Sequence, residues 1–511
     1  MKKRQIQGGL SRRDFLATAS ALALAAYAGP AFADSPDFGP KPAGLPAPDG
    51  PLHWLDTGDT KGVFLKQYLP EYGKARGIEV VYDGLPWKEL NTVVPLGIRN
   101  GSAPDTFNLP QTLEPAVAIS EGWLQPIDDF VPDFENWKKA YPNGAFVEGV
   151  NVFGGKTYGF TFSTNRRFEN ALLFDQQMMN DAGYGHIDAD HAATFDEMRD
   201  AAAKITKNSK GKAYGFIIGG SQVQRWGDTA TMLAQRAGAP VGFRGLIQGI
   251  DLKTGQFAFG SDAYVVGVEL LLAMRDDGSV FPGSLTIIAP QAREFITQGA
   301  AGMIIQGPWN IPAWERRAPN WNFGVSPGPA PDKGSLGNPV SVGQLPSSTN
   351  MMWLNAKAKN PAYAGDFFHW FGSLAGQTAY ATIASCGDPA IFPQASSKAE
   401  LSDRAHAMLN MAEKYVRISP NPFIRNPELA KVAAAFNAPT PTLSQAIQGL
   451  FAGQLTDPKG TLKKVEDAHN KALDDAIAKA KADGAKVSRD DFVFADWDPN
   501  KDFGPADYAK L

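Results

Sequence analysis

Apolar positions along the chain switch between a two-residue and a four-residue period, and the switching predicts an alternation of strands and helices. His53-Trp54-Leu55 reads as a short strand running into the polar turn Asp56-Thr57-Gly58-Asp59. Phe64 and Tyr68, with Leu65 and Leu69, repeat at helical spacing, and Gly77 ends that helix. Ile78 to Tyr82 is the next predicted strand. Leu90, Val93, Val94 and Ile98 then share one helical face, and Asp105 to Leu109 forms a third strand after Gly101. Strand–helix–strand–helix–strand is the order of a doubly wound α/β unit.

The middle of the chain repeats the pattern. Thr194-Phe195-Asp196-Glu197 has the spacing of a capping box, in which hydroxyl and carboxylate bond the free N–H groups of a helix start. Tyr214 to Ile218 is a predicted strand before Gly219-Gly220. Gln291 to Gln298 is a short helix, and Ala301 to Gln306 a strand opening into Gly307-Pro308-Trp309-Asn310. Residues 326–350 hold Pro327, Pro329, Pro331, Pro339 and Pro346 among glycines and serines and read as a linker. A long amphipathic helix is expected near 460–484, with Leu462, Val465, Leu473 and Ile477 inward. Two α/β lobes joined by several crossings is the economical reading.

The two ends differ from this body. Residues 1–33 run from Lys2-Lys3-Arg4 through Arg12-Arg13 and an Ala/Leu-rich stretch to Ala31-Phe32-Ala33. A basic start, a short apolar run and a small-x-small ending predict a signal peptide cleaved after Ala33. The paired arginines point to the twin-arginine export machinery. Residues 34–50 read as a linker, and the tail 490–511 is not assigned a role. Within this frame, residues 51–160 and 335–395 are expected to form a first lobe, and 161–334 and 396–489 a second.

Composition narrows the function. The 511 residues are 43% hydrophobic and 20% charged, with a net charge of −4 and one cysteine, Cys386. Residues 1–33 hold five basic residues and one acid, so without them the charge falls from −4 to −8. An acidic chain with no basic block argues against nucleic-acid binding, and one cysteine excludes an internal disulfide. No H-E-x-x-H or Walker A pattern occurs. His186 to His191 places two His and two Asp in six residues, in a region that reads as a loop, where such residues are common. His469 lies on the inward face of the long helix, and Cys386 has no basic partner nearby in sequence to lower its pKa. No catalytic residue, metal or cofactor is expected.

Tryptophan stands out. Of eleven, Trp54, Trp87, Trp123, Trp226 and Trp309 fall at predicted turns or loop edges. A sugar ring has apolar C–H faces that stack on indole and a hydroxyl rim that bonds Asp, Asn, Gln, Glu or Arg. Most of these indoles are expected to be packing residues. Trp309 is the candidate plate, because Gly307 and Pro308 fix its backbone at the carboxyl end of a predicted strand, where α/β sheets bind ligands.

Short stretches, in order along the chain, resemble one family. Gly101-Ser102-Ala103-Pro104-Asp105 is similar to an S-G-x-x-P-D motif, and Gly122-Trp123-Leu124-Gln125-Pro126-Ile127-Asp128 to G-x-L-x-P-L-D. Gly155 to Phe160 is similar to G-K-x-Y-G-x-P, Thr194 to Glu197 to T-W-D-E, and Phe295 to Trp309 to F-x-x-G-K-A-A-M followed by G-x-W. Together they resemble extracellular solute-binding proteins, family 1, the receptors of ABC importers that include the maltose-binding protein. The resemblance implies two lobes of the type II periplasmic binding fold closing on a ligand, with a helical C-terminal extension.

By position, the resemblance implies that Asp56, Asp59 and Lys61 line the first-lobe rim, with Asn108 and Gln111 beside them. Glu169 and Trp226 are expected from the second lobe, and Trp309 with Asn310 from the stacking turn. It implies a periplasmic, monomeric receptor delivering a sugar or oligosaccharide to permease subunits, with no enzyme activity. Two departures bear on the ligand. Arg166-Arg167 lengthens the first crossing and would suit an acidic or phosphorylated sugar, or else sits at the surface. Leu109 stands near where maltose-type proteins place an aromatic. The alternatives are an exported carbohydrate-active enzyme, or a receptor of the same fold for a non-sugar such as a polyamine, or for a sugar phosphate.

Overall fold

The structure is a computed structural model describing residues 36–58, 60–110, 113–347 and 350–511. The expected export segment 1–33 and two expected binding residues, Asp59 and Gln111, lie outside the described residues.

The chain first winds β1 (Leu52–Asp56), α1 (Thr60–Arg76), β2 (Val80–Gly84), α2 (Trp87–Asn100) and β3 (Thr106–Phe107), in the order expected from the apolar periods. It adds β4 (Gly159–Phe160) and then builds β5 (Ala171–Asp175), α3 (Phe195–Asn208), β6 (Tyr214–Phe216), α4 (Gln224–Arg236), α5 (Ala289–Thr297), β7 (Ala301–Gln306), α6 (Asn310–Arg317) and β8 (Phe323–Ser326). It returns as β9 (Met352–Leu354) and α7 (Pro361–Phe371), and ends with helices that include α8 (Leu443–Phe451) and α9 (Pro458–Ala482).

Two central sheets result. One is five-stranded, in the order β2-β1-β3-β9-β4, and the other four-stranded, in the order β8-β5-β7-β6. β1 is parallel to β2 and β3, as a doubly wound unit requires, but β9 joins β3 antiparallel. In the second sheet β7 is parallel to β6 and antiparallel to β5. Parallel neighbours need a helical crossover on the same sheet. β9 instead arrives after the excursion that builds the second sheet, and it enters from the opposite end.

Every residue of β7 and the first four of β5 are buried, the pattern of strands covered on both faces. Their apolar cluster takes in Leu450 of α8, Leu473 of α9, and Phe492 and Trp497 of the C-terminal tail. Around the first sheet, Leu55, Leu90, Val94, Phe107 and Trp353 form a separate cluster. Trp54, one of the loop-edge indoles, is fully buried there, edge-on to Phe367 and Phe368 of α7.

Local signals place well. Thr194 Oγ1 accepts from Glu197 N (3.2 Å) and Glu197 Oε2 accepts from Thr194 N (2.8 Å), closing the expected capping box. His469 is buried with Nδ1 2.8 Å from Val465 O. The stretch read as a linker at 326–350 is a correction. Ala330 pairs its backbone with Ala193 and Phe195, and Val340–Val342 forms a parallel ladder with Val416–Ile418. Prolines confine it to one short 3-10 turn at Lys333–Ser335 but leave its carbonyls free to bond neighbours. The end of the 34–50 linker is likewise fastened: Tyr363 Oη donates to Pro46 O, and Asp49 N to Asn360 Oδ1.

Candidate functional site

Three chain segments run side by side between the sheets. Ser163 bridges Ala390 and Thr164 bridges Pro346, while Asn165 N donates to Leu345 O at 2.7 Å. The sequence pointed to crossings near 155–163 and 326–345; the segment around Pro389 to Ile391 is an addition. Polar side chains from both sheets converge on this ribbon.

On the first-sheet side, Asp56 closes β1 and is fully buried. Its Oδ1 accepts from Gly58 N (2.7 Å) and Tyr82 Oη (2.5 Å). Gly58 has φ +65°, and a Cβ there would come within 3.1 Å of Gly84 Cα, so the turn requires glycine. One helical turn on, the buried Lys61 Nζ donates to Thr57 Oγ1 (2.8 Å) and Asn350 Oδ1 (3.5 Å). Asn350 Nδ2 in turn donates to Asp388 Oδ1 at 2.7 Å.

Asp388 passes the network to Arg167. This arginine is buried, pairs with Asp388, donates to Gly387 O (3.3 Å), and reaches Glu169 Oε1 through Nε (3.0 Å) and Nη2 (2.8 Å). Arg244 pairs with Glu169 as well, Nη1 donating to Oε1 at 3.2 Å and Nη2 meeting Oε2. Thus Thr57, Lys61, Asn350, Asp388, Arg167, Glu169 and Arg244 form one chain of polar contacts from β1 to the second lobe. Burial opposes ionisation of Glu169, but Arg244 and Arg167 outweigh it and hold its carboxyl below the ordinary value. Burial works against the Arg167 charge, and Glu169 and Asp388 more than restore it. The sequence left Arg167 between surface and ligand; it is a buried strut, neutralised on both sides.

Trp309 stands beside this strut. It follows the Gly307-Pro308 turn that ends β7, and it is half-buried. Its indole has Arg167 5.6 Å and Arg225 5.9 Å from the ring centroid. A Cβ on Gly307 would lie 2.2 Å from that ring, so glycine makes room for it. Asn310, 1% exposed, donates Nδ2 to Gly307 O at 2.9 Å and locks the turn. Cys386 lies buried beneath, its Sγ 3.7 Å from Pro308 O, with burial pushing the thiol's pKa up.

The other expected residues divide. Asn108 is fully buried and donates Nδ2 to Met351 O (2.7 Å), clipping β3 to the returning strand. Trp226 is a correction. It has no exposed surface, its N–H donates to Gly220 O (3.0 Å), and its ring packs 4.6 Å from Phe451, so it is a core residue. Its position at the start of α4 suggested a loop edge, but α8 covers that face. Leu109 is buried as well. His191 bonds Asp188 at the surface, and no group of three or more metal-ligating side chains occurs among the described residues.

Sequence reading missed Arg225, Arg244, Asn350 and Asp388, which come from widely separated segments. No sequence pattern marks them; the structure flags the region, since Arg244 (φ +72°) and Ser385 (φ +53°) are two of the four non-glycine residues with positive φ among the described residues.

The sequence profile of bacterial extracellular solute-binding proteins matches residues 57–378. The chain belongs to that family. A binding protein of Brucella abortus is 25% identical over 295 residues, 56% of this chain and 63% of its own length. The chain therefore spans less than two thirds of that relative. Among solved structures, an ABC-transporter solute-binding protein of Thermotoga lettingae bound with α-D-tagatose superposes with a TM-score of 0.60 at 18% identity, covering 83% of this chain and all of that one. A maltotriose-binding protein of Thermus thermophilus gives the same TM-score, identity and coverage. At this identity the likeness establishes the fold, two lobes of the type II periplasmic binding kind. Among the described residues no helix is long and apolar enough to cross a membrane.

Proposed function

We propose that this protein is the substrate-binding component of an ABC importer, taking a sugar or oligosaccharide between its lobes and presenting it to permease subunits. The observation that carries this is the convergence at the ribbon. A half-buried indole from the second sheet stands beside a polar network whose members come from both sides of the fold.

The first lobe comprises 51–160 and 335–395, and the second 161–334 and 396–489, except that Val340–Val342, laddered with Val416–Ile418 and packed in the second-sheet cluster, goes with the second. Asp56, Asn108, Glu169, Trp309 and Asn310, with Asp59 and Gln111, define the ligand region. Trp309 stacks on the sugar, and the others hold the rim or the turns that shape it. A ligand bonded by both lobes favours the closed form over the open one. To move a population from one in a hundred to ninety-nine, it must prefer the closed form by about 5.5 kcal/mol. The protein acts as a monomer and a receptor, not a catalyst. It reaches the periplasm by the twin-arginine machinery after cleavage behind Ala33. Family membership and the sequence of residues 1–33 support this placement.

Small-angle scattering of the purified protein with and without saturating sugar tests the reading. A smaller radius of gyration with ligand is expected. A bound sugar that leaves the dimensions unchanged would contradict closure.

A further inference from the structure

The arginines of the ligand region fall into two groups. Arg167 and Arg244 share Glu169, and Arg167 also holds Asp388. Arg225, Arg293 and Arg317 form no ion pair among the described residues. Arg225 has a fully enclosed Nε without a hydrogen-bond partner, and its guanidinium lies 5.9 Å from the centre of the Trp309 ring. Arg293, half-buried on α5, donates Nε to Ala289 O at 3.2 Å, and Ala289 N in turn donates to Gln222 Oε1 at 2.8 Å, three residues before Arg225.

These charges disfavour one another. Burial lowers the pKa of Arg225; Asp228 and Glu169 oppose that shift and Arg244 adds to it. Burial lowers that of Arg293 to about 10, with Arg225 and Arg317 adding to the effect. Asp228, the acid that pulls most on Arg225, forms no ion pair with it among the described residues. Asp228 accepts from Gln248 Nε2 at 3.1 Å, and burial raises its pKa against the pull of Arg244 and Arg225. Half-buried like charges without a direct ion-pair partner are costly unless something else supplies the anion.

We propose that the ligand carries an anionic group, the carboxylate of a sugar acid or the phosphate of a sugar phosphate, held by Arg225 and Arg293 while its ring stacks on Trp309. Arginine presents a planar fork of donors that matches either oxyanion. The inference rests on the receptor reading above and names its substrate class. It also moves the acid-recognising role from Arg166 and Arg167, which are already paired, to residues some sixty and more positions onward in the chain.

Titration calorimetry of the purified protein tests it with three sets of probes. These are neutral sugars (glucose, galactose, maltose), uronic acids and their short oligomers, and sugar phosphates; a polyamine is the control. One anionic set is expected to bind, and which of the two binds identifies carboxylate or phosphate. Arg225→Gln and Arg293→Gln should each weaken that binding about 10- to 100-fold, the worth of a charge-assisted hydrogen bond, with Arg225→Lys recovering part of it. Melting of the ligand-free variants guards against misfolding. Removing an uncompensated charge should leave the melting temperature unchanged or raise it, whereas a structural arginine would lower it. Binding of neutral sugars alone, undiminished in both variants, would overturn the anionic assignment and leave the receptor reading standing. Binding of the polyamine alone, or of nothing in the panel, would overturn both.

Discussion

Arg166, on the first crossing, pairs with Asp502 of the C-terminal tail, 336 positions away in sequence. The same guanidinium donates to Val416 O at 3.1 Å, and Asp502 Oδ1 accepts from Ile418 N at 2.9 Å. The tail is thereby a strap. It runs on over the second lobe from where Phe494 N bonds Leu252 O, buries Trp497, and fastens beside the crossing through Phe503 N to Ile418 O and Asn421 N to Tyr508 Oη.

Asp502→Ala is expected to cost little. The aspartate is 44% exposed in an ion pair with Arg166, and such pairs contribute about 0.2–1 kcal/mol. Loss of the Ile418 bond adds a comparable amount. Urea denaturation should show a destabilisation of about 1–2 kcal/mol. A loss of several kcal/mol would contradict the reading of the Arg166–Asp502 pair as a surface contact.

Glu169 contrasts with it. Both partners of Arg167 are under a tenth exposed, and removing one member of a buried pair costs about 3–5 kcal/mol because a charge is left uncompensated. Glu169→Ala should lose that much by the same measurement. Glu169→Ala no less stable than wild type would show that the network is not coupled.

The same carboxylate sets an acid limit. Its folded pKa lies below the unfolded value of about 4.3. Between the two, the unfolded chain binds more protons, so stability falls as pH falls. The contribution is full above the unfolded pKa and is lost as pH drops through the folded one. Melting between pH 7 and pH 3 should decline for the wild type, and the decline should be shallower in Glu169→Gln, which starts from lower stability. Equal slopes would exclude Glu169 as a source.

The two candidate indoles should separate cleanly. Trp226 is fully enclosed, and Trp226→Ala should cost about 3–5 kcal/mol through the cavity it leaves. Trp309 is half-buried, so Trp309→Ala should destabilise far less while abolishing stacking on the ligand. Calorimetry and melting on both variants would decide. A Trp309→Ala protein that binds as tightly as wild type would remove this residue from the site.

What the sequence made legible was local. The periods of Leu90, Val94 and Phe64, the Thr194 box and the Gly307-Pro308 turn act within a few residues, and each lies where its spacing put it. The Trp309 environment was half-readable, because its turn is local but Arg225 and Arg167 arrive from 84 and 142 residues earlier. Trp226 misled because its exposure depends on α8, more than two hundred residues on. Arg166 and the tail were each opaque alone, since either makes sense only beside the other.

Thermal melting of the purified protein against neutral sugars, sugar acids, sugar phosphates, polyols and polyamines, with each sugar recovered and checked by chromatography, tests the central claim most directly. A ligand at a hundred times its dissociation constant adds about 2.7 kcal/mol of stability. The expected result is a clear upward shift from one class of sugar, which is recovered intact. Cleavage of that sugar, or a shift produced only by a non-sugar, would contradict it.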